Sequence, residues 1–250
     1  MAKTKGRVTL PSEGNFLNEA REIMERWGAD ALRDSHGTKL PEEIKAQDAT
    51  IYTTYFVARG HNNFAKEHME ECQQLYLMSR RVTALDERAE IPFMEGYFYQ
   101  QVEPDYLHVV KEWWEVIDRT TGEVVSPQFW TVDPKRNILV IDRAKPFHEY
   151  TVSFLVYAVW DPTQMYNHIT NNWGDKPHEI PFDVRQPASG QFARDYLVQW
   201  LKENPRTDVV RFTTFFYHFT LVFNDQAKEK FVDWFGYGAT VSVKALEEFS

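Results

Sequence analysis

Cysteine is almost missing from this chain of 250 residues: Cys72 is the only one. A single thiol permits no internal disulfide and no thiolate metal cage. Long apolar runs are missing too. Nothing approaches the roughly 18 consecutive apolar residues of a membrane helix, and the basic start MAKTKGRVTLPSEGNF lacks the apolar core of a signal peptide. Basic residues are in deficit, 28 Lys and Arg against 37 Asp and Glu, for a net charge of −9. That balance argues against a general nucleic-acid binder, which shows a basic face. It also removes the polybasic reason to sit on an anionic membrane. GxGxxG, the P-loop and the GxSxG elbow are all absent. The eight histidines show no HExxH or comparable metal spacing. These absences predict a soluble, cytoplasmic protein.

Aromatic residues are what the chain has in plenty. Phe 18, Tyr 12 and Trp 8 make up 15% of it, and many stand beside polar residues. Two readings stay open on this number: a large mixed core, or a carbohydrate cleft in which aromatic faces cover sugar CH surfaces and Arg, Asn and Asp bind hydroxyls.

Along the chain, Phe16, Ala20, Ile23, Met24 and Trp27 recur near helical spacing, with Ser12 or Asn15 as a cap and Gly28 as a stop. A short apolar strand ending at Arg33-Asp34 follows. The pattern repeats with a helix over 41–47 and a β-branched and aromatic strand over 50–57. The middle differs. Segments 75–82, 113–118, 122–125, 129–132 and 138–141 read as short strands separated by the turn sequences RTTGE and DPKRN, which predicts antiparallel hairpins. The run YTVSFLVYAVW at 150–160 is apolar throughout, and periodicity does not separate a strand from a buried helix there. Alternation then resumes: helices over 162–173 and 191–203, a strand over 209–220, a helix over 226–234, a strand or turn over 236–241, and a helix from Val243.

Alternating strands and helices with a β-rich insertion, at about 90–145, predict a parallel α/β domain. In barrels of this class the reactive residues sit at the C-terminal ends of strands. That rule selects Arg33-Asp34, Arg59 and Arg211. A guanidinium at Arg33 offers a planar fork to sugar hydroxyls or phosphate, unless it forms a structural pair with Asp34. Arg211 stands among Phe212, Phe215 and Phe216, where burial of its charge would be costly without an acidic partner or a ligand. Asp161 before Pro162 is a good helix N-cap. Asn167 suits a sugar-hydroxyl ligand or an ordinary helix position. His36, His61, His148, His168 and His178 read as polar or core residues rather than metal ligands. Cys72 has no histidine signature tied to it, and no pair of carboxylates is singled out by spacing.

The blocks GRVTLPSEGNF, ERWGADALRDSHGTKLPEE, IYTTYFVARGHN, EVIDRTTGEVV, HEYTVSFLVYAVWDPTQMYNHITNNWGDKPHEIPFD and TDVVRFTTFFYHFTLVF resemble the galacto-N-biose/lacto-N-biose phosphorylases of glycoside hydrolase family 112, from Gly6 to the last residue. The resemblance implies the N-terminal part of a (β/α)8 TIM-type barrel, ending mid-barrel at Ser250. It implies inverting phosphorolysis of a terminal β-galactoside, with phosphate attacking the anomeric carbon and an enzymic acid protonating the departing oxygen. The products are α-D-galactose 1-phosphate and the acceptor sugar. Inorganic phosphate is a co-substrate, and neither metal nor organic cofactor is implied.

Position by position, Arg33, Asn167 and Arg211 resemble the family's sugar-binding residues, and Thr163 and Tyr237 fall where its acceptor pocket is lined. Thr163 stands where some N-acetylhexosamine-specific members have valine, which keeps a galactosyl-rhamnose phosphorylase in view. The family's catalytic aspartate lies beyond residue 250, so the expectation is an inactive segment of a full-length enzyme, for which the family allows a homodimer. The alternatives are a hydrolase of related architecture and a non-catalytic sugar-binding fragment.

Overall fold

The computed structural model describes residues 8–12, 16–34, 42–46, 48–57, 60–161, 164–165, 168, 172–212, 222–226, 229–230 and 242–249. In chain order they form β1 (Thr9–Ser12), α1 (Leu17–Trp27), β2 (Ala31–Asp34), α2 (Glu42–Lys45), β3 (Thr50–Tyr55) and α3 (Asn62–Glu67). Strands β4 (Gln74–Met78), β5 (Val82–Thr83), β6 (Ala89–Pro92) and β7 (Val102–Pro104) follow, then α4 (Val110–Trp113) and β8 (Glu115–Asp118). Next come β9 (Trp130–Asp133), β10 (Ile138–Ile141) and β11 (Glu149–Ala158). The chain continues through α5 (Pro187–Glu203), β12 (Val209–Phe212), β13 (Val222–Phe223), β14 (Glu229–Lys230) and α6 (Val243–Phe249). It divides into two compact units, Met1–Val57 with Gln191–Thr214, and Ala58–Gly190 with Phe215–Ser250. Among the described residues no helix is long and apolar enough to cross a membrane.

The first unit is built on a four-stranded parallel sheet in the order β1-β2-β3-β12. Side chains alternate between the two faces of a strand, and the register sorts them. Leu10, Leu32 and Ile51 are level on one face and buried. Leu17, Ile23 and Met24 of α1 pack against them, each fully buried aliphatic contributing about 2 kcal/mol. Further along that face Tyr55 meets Trp200 of α5, with ring centroids 5.1 Å apart. Both helices therefore cover the same face.

Gly28 ends α1 in the left-handed region, at φ 62°, which glycine adopts without a Cβ penalty. The start of α1 departs from expectation: its N-cap is Phe16, with no side-chain cap hydrogen bond. Ser12 is instead held in the β1 ladder opposite Asp34, and Asn15 lies outside the described residues. The entry to β12 is anchored by Asp208, whose Oδ2 accepts from Ile51 N at 3.0 Å and from Arg206 Nη1 at 2.8 Å. The four strands form an open sheet, and no closed barrel occurs among the described residues.

The second unit centres on β11, which is a strand. β4 and β5 pair along one of its edges and β7 and β8 along the other, all antiparallel. A strand flanked on both sides and covered on both faces reads as unbroken hydrophobicity, which is why its periodicity was silent. A second sheet runs β6-β10-β9. Between them Phe93, Trp114 and Phe154 form a triangle with centroids 5.0 to 5.4 Å apart. These aromatics belong to a mixed core.

The turn sequences do what their residues dictate. Just before RTTGE, Asp118 Oδ1 accepts from Thr120 N and Thr121 N at 3.0 and 3.3 Å, and Gly122 sits at φ 79°. In DPKRN, Asp133 Oδ1 accepts from Lys135 N and Arg136 N.

Several boundaries differ from the sequence reading, among them the start of α5 at Pro187 rather than Gln191. The 75–82 strand is two strands, interrupted between Met78 and Val82. Trp113 closes α4 rather than opening a strand. The 122–125 segment contributes only the bridge from Val124 to Ile117. The helix expected from Gln226 is not formed at Glu229–Lys230, which pair as β14 with β13 because Asn224 Oδ1 takes Gln226 N and turns the chain back. The helix expected over 162–173 is described only at residues 164–165, 168 and 172–173, and the 236–241 expectation lies outside the described residues.

Candidate functional site

Arg33 is the third residue of β2 and Arg211 the third of β12. Arg33 is in register with Pro11 and Tyr52, and Arg211 with Thr54. Tyr52 and Thr54 are two apart on β3 and share a face. Both arginines therefore project from the same face of one sheet, opposite the face that α1 and α5 cover, near the C-terminal ends of their strands. Reactive residues of parallel α/β barrels occupy that position.

Arg33 is half-buried, and its Nε is buried with no hydrogen-bond partner among the described residues. Such a donor left unmade costs about 1–3 kcal/mol, and a hydroxyl or phosphate oxygen would satisfy it. Arg211 is exposed, so the expected conflict between its charge and an aromatic burial site does not arise. The neighbouring Phe212 alternates to the opposite face, where its ring meets Tyr55 at 5.8 Å. Tyr55 ends β3, and burial followed by the charge at Tyr196 pushes its phenol up to about 12, so it is a poor proton donor near neutrality.

Thr163, Asn167 and Tyr237 lie outside the described residues, as does Arg59. Near the first two, Trp160, Asp161, Gln164, Met165 and His168 are described. Trp160 and Asp161 follow β11, and Asp161 Oδ1 accepts from Gln164 N at 2.8 Å, the N-cap bond that Asp-Pro predicts. Gln164 is only 3% exposed. Its Oε1 accepts from Trp160 Nε1 at 2.9 Å and from Glu179 N at 2.7 Å, while its Nε2 donates to Pro177 O at 2.6 Å. Asn62 bonds the same returning segment, its Nδ2 donating to His178 O at 2.6 Å and its Oδ1 accepting from Ile180 N at 2.9 Å. Glu179 in turn accepts from Gly60 N at 2.8 Å. Sequence reasoning missed this network, since the bonds of Gly60 and Asn62 join positions 116 to 119 apart and those of Gln164 to Pro177 and Glu179 follow no helix or strand period.

His168 and His178 gather around Trp160. Burial lowers the affinity of both imidazoles for a proton, with Lys176 adding to the effect at His168 and His168 adding to it at His178. Neither belongs to a metal cluster: no group of three or more His, Cys, Asp or Glu able to hold a metal ion occurs among the described residues. Cys72 is buried, its Sγ donating to Ala65 O at 3.4 Å, and burial followed by Glu70 and Glu71 pushes the thiol up to about 12. That is the opposite of an activated nucleophile.

Comparison with known proteins gives the lineage. The family described as "Lacto-N-biose phosphorylase N-terminal TIM barrel domain" matches residues 6–250. A 1,3-beta-galactosyl-N-acetylhexosamine phosphorylase of Bifidobacterium longum subsp. longum is 51% identical over 98% of this chain and 32% of its own length. One from Lachnoclostridium phytofermentans is 50% identical over 99% of this chain and 34% of its own. A D-galactosyl-beta-1->4-L-rhamnose phosphorylase of the same organism is 37% identical over 98% of this chain. The chain spans about a third of the length of these curated relatives. With its parallel sheet and helices on one face, and with the family matched along nearly all of its length, the chain belongs to the lacto-N-biose phosphorylase N-terminal TIM barrel domain family.

Proposed function

We propose that this chain is the N-terminal portion of an inverting phosphorylase that splits terminal β-galactosides of the galacto-N-biose/lacto-N-biose type. A phosphate oxygen forms the new bond to the galactose anomeric carbon as the glycosidic bond breaks on the opposite face. A carboxylic acid protonates the departing oxygen, releasing the acceptor sugar and α-D-galactose 1-phosphate. Phosphate arrives as an anion, so the scheme needs no general base, metal or organic cofactor. It needs fixed donors beside the developing positive charge and the anion. Arg33 and Arg211 are assigned to that work, with Asn167 on the galactose side and Thr163 and Tyr237 at the acceptor. The acid is assigned to the part of the enzyme beyond residue 250, and the 250 residues alone to an inactive state.

The observation that carries this reading is identity of about half the residues along essentially the whole chain to two 1,3-beta-galactosyl-N-acetylhexosamine phosphorylases. The placement of both arginines on the face of the parallel sheet opposite α1 and α5 supports it. The lower identity to the galactosyl-rhamnose enzyme favours an N-acetylhexosamine as acceptor. In this reading the parallel strands are the first part of a barrel that continues past residue 250, and the β-rich residues at about 90–145 are an elaboration of it. The reaction is assigned to the cytoplasm, where a charged sugar phosphate is retained, and the full-length enzyme to a homodimer.

Phosphate release from α-D-galactose 1-phosphate tests the proposal, comparing the 250-residue chain with a C-terminally extended form. N-acetylglucosamine, N-acetylgalactosamine and L-rhamnose are supplied separately. Release by the extended form alone, with an N-acetylhexosamine, is the expected result. Release only with L-rhamnose would reassign the acceptor, and none from a folded extended form would leave a sugar-binding role.

A further inference from the structure

We propose that Gln164 is a positioning residue that holds the sugar-facing segment containing Thr163 and Asn167, and that Asn62 shares this task from the other side of the same returning segment. The proposal rests on the phosphorolysis reading above and adds to it two residues with no assigned role.

The argument is one of backbone geometry. In an extended segment the N–H and C=O groups of successive residues face opposite edges, so alternate residues share an edge. Gln164 takes Pro177 O and Glu179 N, while Asn62 takes His178 O and Ile180 N. Each carboxamide thus supplies one donor and one acceptor to one edge of residues 177–180, as a neighbouring strand would. Asp161 N adds a bond to Glu179 O at 2.6 Å, on the edge that Gln164 serves.

The consequence for the segment after β11 is direct. Gln164 sits between Thr163 and Met165 in the chain and three residues before Asn167. Its side chain is tied to Trp160, Pro177 and Glu179, and its own N–H to Asp161. Met165 beside it is buried with Trp160 and Phe223. Gln164 is fixed by these bonds, and Thr163 precedes it directly in the sequence while Asn167 follows three residues on. An amide fits this task because it carries donor and acceptor together. Methionine of similar length would fill the space and leave Trp160 Nε1, Glu179 N and Pro177 O unpaired.

The test uses the C-terminally extended enzyme with the variants Gln164→Met, Asn62→Ala, Asn167→Ala, the Gln164→Met, Asn167→Ala double variant, and Leu139→Ala as a destabilised control in the β6-β10-β9 sheet. KM is measured separately for α-D-galactose 1-phosphate and for the acceptor, with hydrogen exchange followed at the Glu179 and Ile180 amides. Misplacement of substrate groups should raise at least one KM roughly 10-fold to 100-fold in Gln164→Met and less in Asn62→Ala. Both variants should lose protection at the residue 179 or 180 amide. Leu139→Ala should lower Tm without moving either KM. In the Gln164→Met, Asn167→Ala double variant the effects should be less than additive, because the first change already displaces what the second removes.

Lost amide protection with unchanged KM values in Gln164→Met would overturn the positioning role and leave a structural clasp. If Gln164→Met does not fold, Asn62→Ala decides by the same readings. No turnover by the unsubstituted extended enzyme would overturn the phosphorolysis reading itself, a result distinct from active wild type with an unaffected variant.

Discussion

The imidazole of His178 lies flat against the indole of Trp160, ring centroids 3.3 Å apart and planes 12° from parallel. His168 meets the same indole edge-on at 5.0 Å and His178 at 5.6 Å. Two imidazoles this close to each other, and to the cation of Lys176, cannot both take a proton without cost.

A pH dependence follows. Burial first, and neighbouring positive charge second, holds both imidazoles below the ordinary histidine value. The folded state prefers them neutral, so their contribution to stability is complete above the unfolded value near 6.5. It is lost as the pH falls through the lower folded values. Tm is expected to fall as the pH drops below about 6.5, and His178→Gln should show a shallower fall. An unchanged slope in that variant would contradict the assignment.

Asp118 acts in a more acidic window. Burial alone would raise its carboxyl, but the hydrogen bond from His148, at 2.7 Å, and those from Thr120 N and Thr121 N outweigh it and hold the group below its usual value. Its contribution is present above the unfolded value of about 3.9 and lost as the pH falls through the folded one. Asp118→Ala should cost about 2 kcal/mol at neutral pH in urea denaturation, in the range for hydrogen bonds to charged groups. The difference from wild type should shrink toward pH 3.

Cys72 should behave as a buried apolar residue. It is 1% exposed with its thiol pushed up to about 12. Iodoacetamide at pH 8 is expected to leave the native chain unmodified and to label it fully in denaturant. Rapid labelling of the native protein would contradict this burial.

Arg211 separates function from stability. Exposed surface substitutions usually change stability by less than about 0.5 kcal/mol, so Arg211→Ala should leave Tm where it is. If Arg211 faces substrate, the same change in the extended enzyme should lower kcat/KM for α-D-galactose 1-phosphate by roughly 10-fold to 100-fold, the loss of one charge-assisted hydrogen bond. Arg33→Lys is expected to retain the charge and still lose activity, because a point charge does not replace the planar fork. Full activity in both variants would remove these arginines from the site.

Much of the chain was legible because the signals are local. The spacing of Ala20, Ile23 and Met24 with Gly28 behind them marks α1, and Asp118 just before RTTGE and Asp133 of DPKRN turn the chain through their own side chains. Where tertiary contact decides, local signals failed. Ser12 is a good cap in isolation but is taken by the β1 ladder. The segment after Asn224 carries helix-forming residues, yet its turn returns Glu229–Lys230 to β13.

The candidate site divides in the same way. Residue type and strand position by themselves selected Arg33, Arg59 and Arg211 as candidates, because reactive groups of parallel α/β folds stand late in their strands. Only the register placed Arg33 and Arg211 on one face, opposite α1 and α5, since a shift of one residue turns a side chain to the other side of the sheet. The pairing of Asn62 and Gln164 across residues 177–180 was likewise invisible, because the hydrogen bonds of Asn62 join positions 116 and 118 apart along the chain and exist only once folding brings donor and acceptor together.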